Sequence, residues 1–149
     1  MTMIKKYWPY LLIAFLVIIQ FFQIDKTPPP SDANLDFFKL ENPPQEVAAL
    51  IKGACNDCHS NQTVFPGYTS FQPLGWWVRS HVRGGRMNFN LSEWGSYNPD
   101  KQRLALEEMA EVVGNKRMPL KSYGWMHEDG QLSDNDRAAL VSWFRAAKR

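Results

Sequence analysis

The 149-residue chain has only two cysteines, a net charge of only +2 and no convincing strand alternation, and each shortage removes a class of protein. Two cysteines cannot build a disulfide-dense small scaffold. A balance of 17 basic to 15 acidic residues leaves no electrostatic footprint for phosphates, so no nucleic-acid partner is expected. The nine glycines follow no three-residue period and the ten prolines punctuate every long stretch, which excludes collagen-like and coiled-coil chains. No internal repeat or low-complexity tract is present. A polar disordered tail is excluded from the other side, because 44% of the residues are apolar.

Much of that apolar content lies at the amino terminus. After Lys5 and Lys6, the stretch Tyr7–Ile24 is interrupted only by Pro9, Gln20 and Gln23. Its length of about 18 residues predicts a transmembrane helix. No small-residue cleavage site follows it, since Phe22, Gln23, Ile24 and Asp25 stand there, so a retained signal anchor is expected rather than a cleaved signal peptide. The two lysines would hold the amino terminus in the cytoplasm and place the rest of the chain on the outer, periplasmic side of the membrane. Without residues 1–24 the chain is formally neutral, so its basic character belongs to the anchor's flank. Residues 25–40, with Pro28, Pro29 and Pro30, read as a stiff proline-rich linker. Residues 41–149 are then one domain with one core.

In that domain helical periodicity recurs four times. Val47, Leu50, Ile51 and Ala54 share a face behind Asn42 as candidate cap and Pro43 at the first helical position; Leu74, Trp77, Val78 and His81 repeat the spacing up to Gly84 and Gly85. Leu106, Met109, Ala110 and Val113 lie between Asn98-Pro99 and Gly114-Asn115, and Leu140, Trp143, Phe144 and Ala147 follow a capping box of Ser133 and Asp136. The expected class is all-α, with long loops over residues 59–71 and 85–97. Loops of that length usually serve a function. Five tryptophans (Trp76, Trp77, Trp94, Trp125 and Trp143) exceed the needs of so small a helical core. A large flat apolar cofactor would account for both features.

Both cysteines fall in Cys55-Asn56-Asp57-Cys58-His59, the C-x-x-C-H attachment sequence for c-type haem. Two thiols at this spacing can each form a thioether with one vinyl group of the macrocycle, and the adjacent histidine reaches the iron. Three other readings each require something more. A thioredoxin-like pair needs alternating strands and helices, a structural zinc site needs a second ligand pair, and a plain disulfide at this spacing closes little chain.

The distal position has several candidates. Met118 precedes Pro119 outside any helical pattern, and proline keeps its predecessor on extended backbone, which suits a side chain reaching inward from a loop. His81 shares a helical stripe and reads first as a half-buried core histidine. Met126 and His127 lie in a loop, Met87 follows two glycines, Met109 lies on a core stripe, and Met1 and Met3 belong to the anchor. A methionine would raise the potential and a second histidine would lower it. Around the cofactor, Asn61 and Gln62 are candidates to fix the backbone near His59. Trp76, Trp77 and Tyr123 are candidates to pack on the macrocycle, and Arg86, Arg117 and Lys121 to meet its propionates.

The run Cys55-Asn56-Asp57-Cys58-His59-Ser60-Asn61-Gln62-Thr63-Val64-Phe65-Pro66-Gly67-Tyr68 resembles the opening of the bacterial haem-binding domain family. In order there follow Pro73 with Trp76 and Trp77, Gly85-Arg86, Asn88-Phe89, Ser92-Glu93-Trp94, Met118-Pro119-Leu120 with Tyr123, His127, Leu132-Ser133 and Trp143. The resemblance covers roughly residues 40–147, and Gly67 departs from it where the family more often has an aromatic residue. It implies a cytochrome c-like site with one covalent haem c on Cys55, Cys58 and His59, and it is compatible with Met118 as distal ligand.

The combined expectation is a membrane-anchored monohaem c-type cytochrome, with Trp77 and Tyr123 packed on the haem. It would pass single electrons between unidentified redox protein partners and act as an electron carrier rather than a catalyst. The alternative is a haem enzyme or gas or redox sensor with an open sixth site.

Overall fold

A computed structural model describes the backbone of residues 2–147 and the side chains of residues 6–147; the side chain of Lys5 lies outside the described residues, as does Met1. Among the described residues seven α-helices run in order: α1 (Thr2–Ile19), α2 (Phe37–Glu41), α3 (Gln45–His59), α4 (Leu74–Asn88), α5 (Pro99–Gly114), α6 (Lys121–Gly124) and α7 (Asp134–Ala147). Short 3-10 turns cover Gly67–Ser70, Leu91–Ser96 and Glu128–Gly130, and no strand forms among the described residues. The expectation of an all-α domain is met.

The core lies where α5 and α7 pack together and receive α3. Leu106, Met109, Ala110 and Val113 of α5 meet Leu140 and Phe144 of α7 and Ile51 of α3, as their helical spacing requires. Both later helices start as their residues dictate. Asn98 accepts a hydrogen bond from Lys101 N ahead of Pro99, and Ser133 and Asp136 exchange backbone hydrogen bonds as a reciprocal capping box.

Other boundaries differ from expectation for identifiable reasons. Asn42 does not open α3; it closes α2 in the left-handed conformation (φ 44°), and α3 begins without a side-chain cap. The helix α3 continues through the whole Cys55–His59 segment rather than ending before it. Likewise α4 runs past Gly84 and Gly85 to Asn88. Gly85 is there because α4 approaches α3 closely: a Cβ at this position would lie 2.5 Å from the carbonyl oxygen of Cys58. A glycine that usually stops a helix here lets two helices touch.

The amino-terminal segment departs most. The expected span over Tyr7–Ile24 is not one helix, because α1 ends at Ile19 and Gln20 turns to bind the domain. From Tyr7 to Ile19 the apolar part measures about 20 Å, short of a bilayer core of about 30 Å. Among the described residues no helix is long and apolar enough to cross a membrane. Residues 25–40 do not stand off as a spacer either. Asn61 donates to the Pro30 carbonyl (3.0 Å), Gly95 N donates to Leu35 O (2.9 Å), and Phe37 is fully buried edge-on to Trp94 with ring centroids 5.0 Å apart. A boundary at residue 40 would therefore cut through the core.

Replacing Phe37 by Ala should accordingly destabilise the whole domain by about 3 kcal/mol or more, the usual cost of emptying a buried aromatic site. Urea unfolding followed by circular dichroism measures it. A loss within experimental error would mean that this segment is a detachable linker after all.

Candidate functional site

The last turn of α3 carries Cys55, Asp57, Cys58 and His59, and each is held by a different neighbour. His59 is buried, stacks on Phe89 with ring centroids 4.0 Å apart, and sets Nδ1 3.3 Å from the Phe89 carbonyl oxygen. A carbonyl only accepts, so Nδ1 carries the proton and the Nε2 lone pair is free. Burial lowers the His59 pKa, against the opposing pull of backbone groups of Phe89 and Gly85. The imidazole is thereby kept neutral and oriented, as an iron ligand needs.

The two thiols are free. Burial, reinforced by Cys58, pushes the Cys55 pKa up to about 12; burial, reinforced by Asp57, pushes that of Cys58 up to about 11. Thiols held protonated in this way are poor candidates for a dithiol redox pair, whose attacking sulfur has a lowered pKa. Among the described residues no three His, Cys, Asp or Glu side chains converge into a group that could hold a bare metal ion.

Asp57 locks the segment from the outside. One carboxylate oxygen accepts from Val64 N (3.0 Å) and the other from the Tyr123 hydroxyl (2.9 Å), while its carbonyl accepts from the Thr63 hydroxyl (2.6 Å). The Tyr123 oxygen also lies 3.1 Å from Gly53 O. Burial and the adjacent Asp57 carboxylate raise the Tyr123 pKa, so its hydroxyl stays protonated as a donor. Gly53 serves a close approach as Gly85 does, since a Cβ there would meet the Asp129 carbonyl at 2.5 Å.

Two adjoining cavities border this turn. One, of about 360 Å³, is lined by Leu74, Trp77, Val78 and Val82 of α4, by Tyr123, and by Cys58. The other, of about 320 Å³, brings His59, Met118, His81, Leu120 and Tyr123 together with Cys58. Met118 also faces His59, Cys55 and Phe144 in a small third void. Volumes of this order suit a cofactor or ligand. The Cys58 thiol, the His59 imidazole and the Met118 thioether border the second cavity and Cys55 joins His59 and Met118 at the third void, a donor set that fits a haem.

The candidates named from sequence separate clearly in space. Met118 shares both of its cavities with His59; its carbonyl is held by the Arg137 guanidinium at 2.7 Å. His81 does not sit in the core as its stripe suggested. It lines the first two cavities, with Nδ1 on the Trp77 carbonyl (2.8 Å) and Nε2 free. Met126 and His127 reach only the first cavity, Met87 lies away from both, and Met109, buried in the core, lines the third void with His59 and Met118. Trp77 lines the first cavity and Tyr123 both, whereas Trp76 turns away and donates to the Phe22 carbonyl. Of the other tryptophans, Trp94 and Trp143 join the core cluster and Trp125 edges the first cavity.

Arg86 is used internally, donating to the Ser60 carbonyl (2.7 Å) and the Thr63 hydroxyl (2.8 Å); Arg117 pairs with Glu111 and Lys121 is exposed. Asn61 fixes the backbone after His59, bonding Ser92, Pro30 and Asn90, while the Gln62 side chain is exposed. The sequence reading missed Phe89, Asn90 and Ser92 as partners of the site. Phe89 and Ser92 lie in the Asn88-Phe89 and Ser92-Glu93-Trp94 runs of the family resemblance, whereas nothing local singles out Asn90.

These features define a small all-helical domain shaped to hold a flat apolar cofactor beside a paired-thiol and histidine turn. The family model of the haem-binding domain matches residues 14–146, nearly the whole chain, and the protein belongs to that family. It is a haem-binding protein. No curated protein and no solved structure matches it.

Gly85→Ala should force α4 away from Cys58 and widen the cavity wall. We expect haem content per chain to fall severalfold, read as the ratio of Soret to protein absorbance. An unchanged ratio would show that this close approach does not shape the site.

Proposed function

We propose that this protein is a monohaem c-type cytochrome that passes single electrons between redox protein partners at the outer face of the cytoplasmic membrane, attached there through its amino-terminal helix. In this reading Cys55 and Cys58 hold the haem by thioether bonds, His59 is the proximal ligand, Met118 the distal ligand, and Trp77 and Tyr123 flank the macrocycle. The observation that carries it is the buried, neutral His59, with Nδ1 engaged by the Phe89 carbonyl and Met118 facing it across shared cavities. When bound, the haem iron supplies one-electron oxidation and reduction. The chain's own part is to orient the imidazole and close the distal side with a loop braced by Arg137.

A second reading of the distal position has its own support. His81 leaves Nε2 free toward the cavity that also holds His59, so it would replace Met118 there if the α4 wall lay closer to the iron than the loop. The two readings differ in potential, since thioether ligation raises it and bis-histidine ligation lowers it.

Visible spectra of the full chain in both oxidation states test the proposal. A six-coordinate low-spin haem that resists acid–acetone extraction is expected, with the far-red charge-transfer band of methionine ligation. Met118→Ala should abolish that band and lower the potential, while His81→Ala should leave both in place. The reverse pattern assigns His81 as the ligand. A five-coordinate ferrous state that binds carbon monoxide rapidly would replace the electron carrier with a haem enzyme or gas sensor, and extractable haem would refute covalent attachment.

A further inference from the structure

The apolar surface of this protein is concentrated at one end. Every side chain of α1 from Tyr7 to Ile18 is exposed, on all sides of the helix. Where α1 meets the domain, Phe21 (82% exposed), Phe22 (62%), Phe71 (66%) and Trp76 (39%) extend that surface beyond the helix. Their placement is fixed by hydrogen bonds rather than by a loose tether. Gln20 and Gln72 form a reciprocal pair, with Gln20 Nε2 donating to Gln72 O (3.0 Å) and Gln72 N donating to Gln20 Oε1 (2.9 Å). The Trp76 indole donates to Phe22 O at 2.8 Å, and Ile19 and Ile24 are buried on either side.

We propose that Phe21, Phe22, Phe71 and Trp76 form an aromatic collar that rests in the headgroup region of a lipid bilayer, so that the domain is seated on the membrane in one orientation. The proposal rests on the membrane attachment argued above. A bilayer is the occupant because a helix apolar on every side cannot be covered by one face of a globular partner, whereas lipid covers it all round. Tryptophan, an apolar ring with a polar edge, matches the chemistry of the interface, and exposed phenylalanine rings beside it bury into the boundary between headgroups and acyl chains.

The surrounding charges agree. Lys26 lies beside the collar, its ammonium 2.8 Å from Ser70 Oγ. Asp25, the one acid between Gln20 and Pro30, accepts from Thr27 N and faces Arg79. The collar also adjoins the first cavity through α4, where Leu74 and Trp77 line the cavity and Trp76 belongs to the collar. Seating the collar brings that cavity to the membrane surface, within reach of a redox partner embedded there.

Photo-crosslinking to lipid tests this with the full-length, haem-loaded chain in phosphatidylcholine–phosphatidylglycerol vesicles. Benzoylphenylalanine is introduced singly in place of Phe15 on α1, Phe71 in the collar, or Leu104, an exposed residue of α5. Lipid adducts are counted by mass spectrometry after illumination. We expect adducts at Phe15 and Phe71, each severalfold above Leu104. Adducts at Phe15 alone, or equal yields at Phe71 and Leu104, overturn the collar while leaving attachment through α1 intact. No adduct at Phe15 overturns the attachment and the collar with it. Adding Gln20→Ala should lower the Phe71 yield severalfold and spare the Phe15 yield; an unchanged Phe71 yield would overturn the role of the Gln20–Gln72 pair in seating the domain.

Discussion

The site depends on one constraint: the imidazole of His59 must be buried, neutral and turned so that Nε2 is free. The Phe89 carbonyl and ring set that orientation, and Phe89 is thirty residues away in sequence on the segment that leaves α4. For Phe89 to reach His59, α4 must lie almost against the end of α3. The contact of Gly85 with the Cys58 carbonyl makes this possible, because any larger residue would occupy the space the carbonyl fills.

A polar layer holds that arrangement from behind. Asn61, Asn90 and Ser92 are buried and bonded to one another across the two segments that follow α3 and α4, and the buried Ser60 beside them accepts from Gln62 N. Buried polar groups are costly unless paired, and among the described residues no buried side-chain polar atom lacks a partner. Such a network is satisfied in one register only, so it specifies how the two loops meet as well as stabilising them. Arg86 adds a charged clamp on the Ser60 carbonyl and Thr63. Its consumption here explains why a basic residue close to the motif is not free to meet a cofactor's carboxylates.

The amino-terminal segment shows the same economy. Gln20 pairs with backbone of the domain and Ile19 and Ile24 are buried, while the side chains from Tyr7 to Ile18, with Phe21 and Phe22, face outward. Phe37 then returns the chain to the core against Trp94 and Trp143. Amino-terminal helix, strap and domain are in this way one continuous structure, and the family match beginning at residue 14 covers much of it.

Periodicity and capping chemistry were enough to read α5 and α7 nearly to the residue, because Asn98, Pro99, Ser133 and Asp136 act through their immediate neighbours. The C-x-x-C-H segment was equally legible, since its chemistry resides in adjacent side chains. Gly85, Asn42 and Phe37 were read less well for a common reason: a glycine serves alike as a helix stop or as room for a neighbouring helix, and an asparagine caps either end. Which use applies depends on what packs there. The sequence by itself determined an all-helical chain with two thiols and a histidine in one five-residue segment. Only the tertiary structure decided that Phe89 orients that histidine, that Met118 and His81 face the same cavity, and that the proline-rich segment is part of the domain. Those depend on contacts between residues far apart in the chain, which no local pattern records.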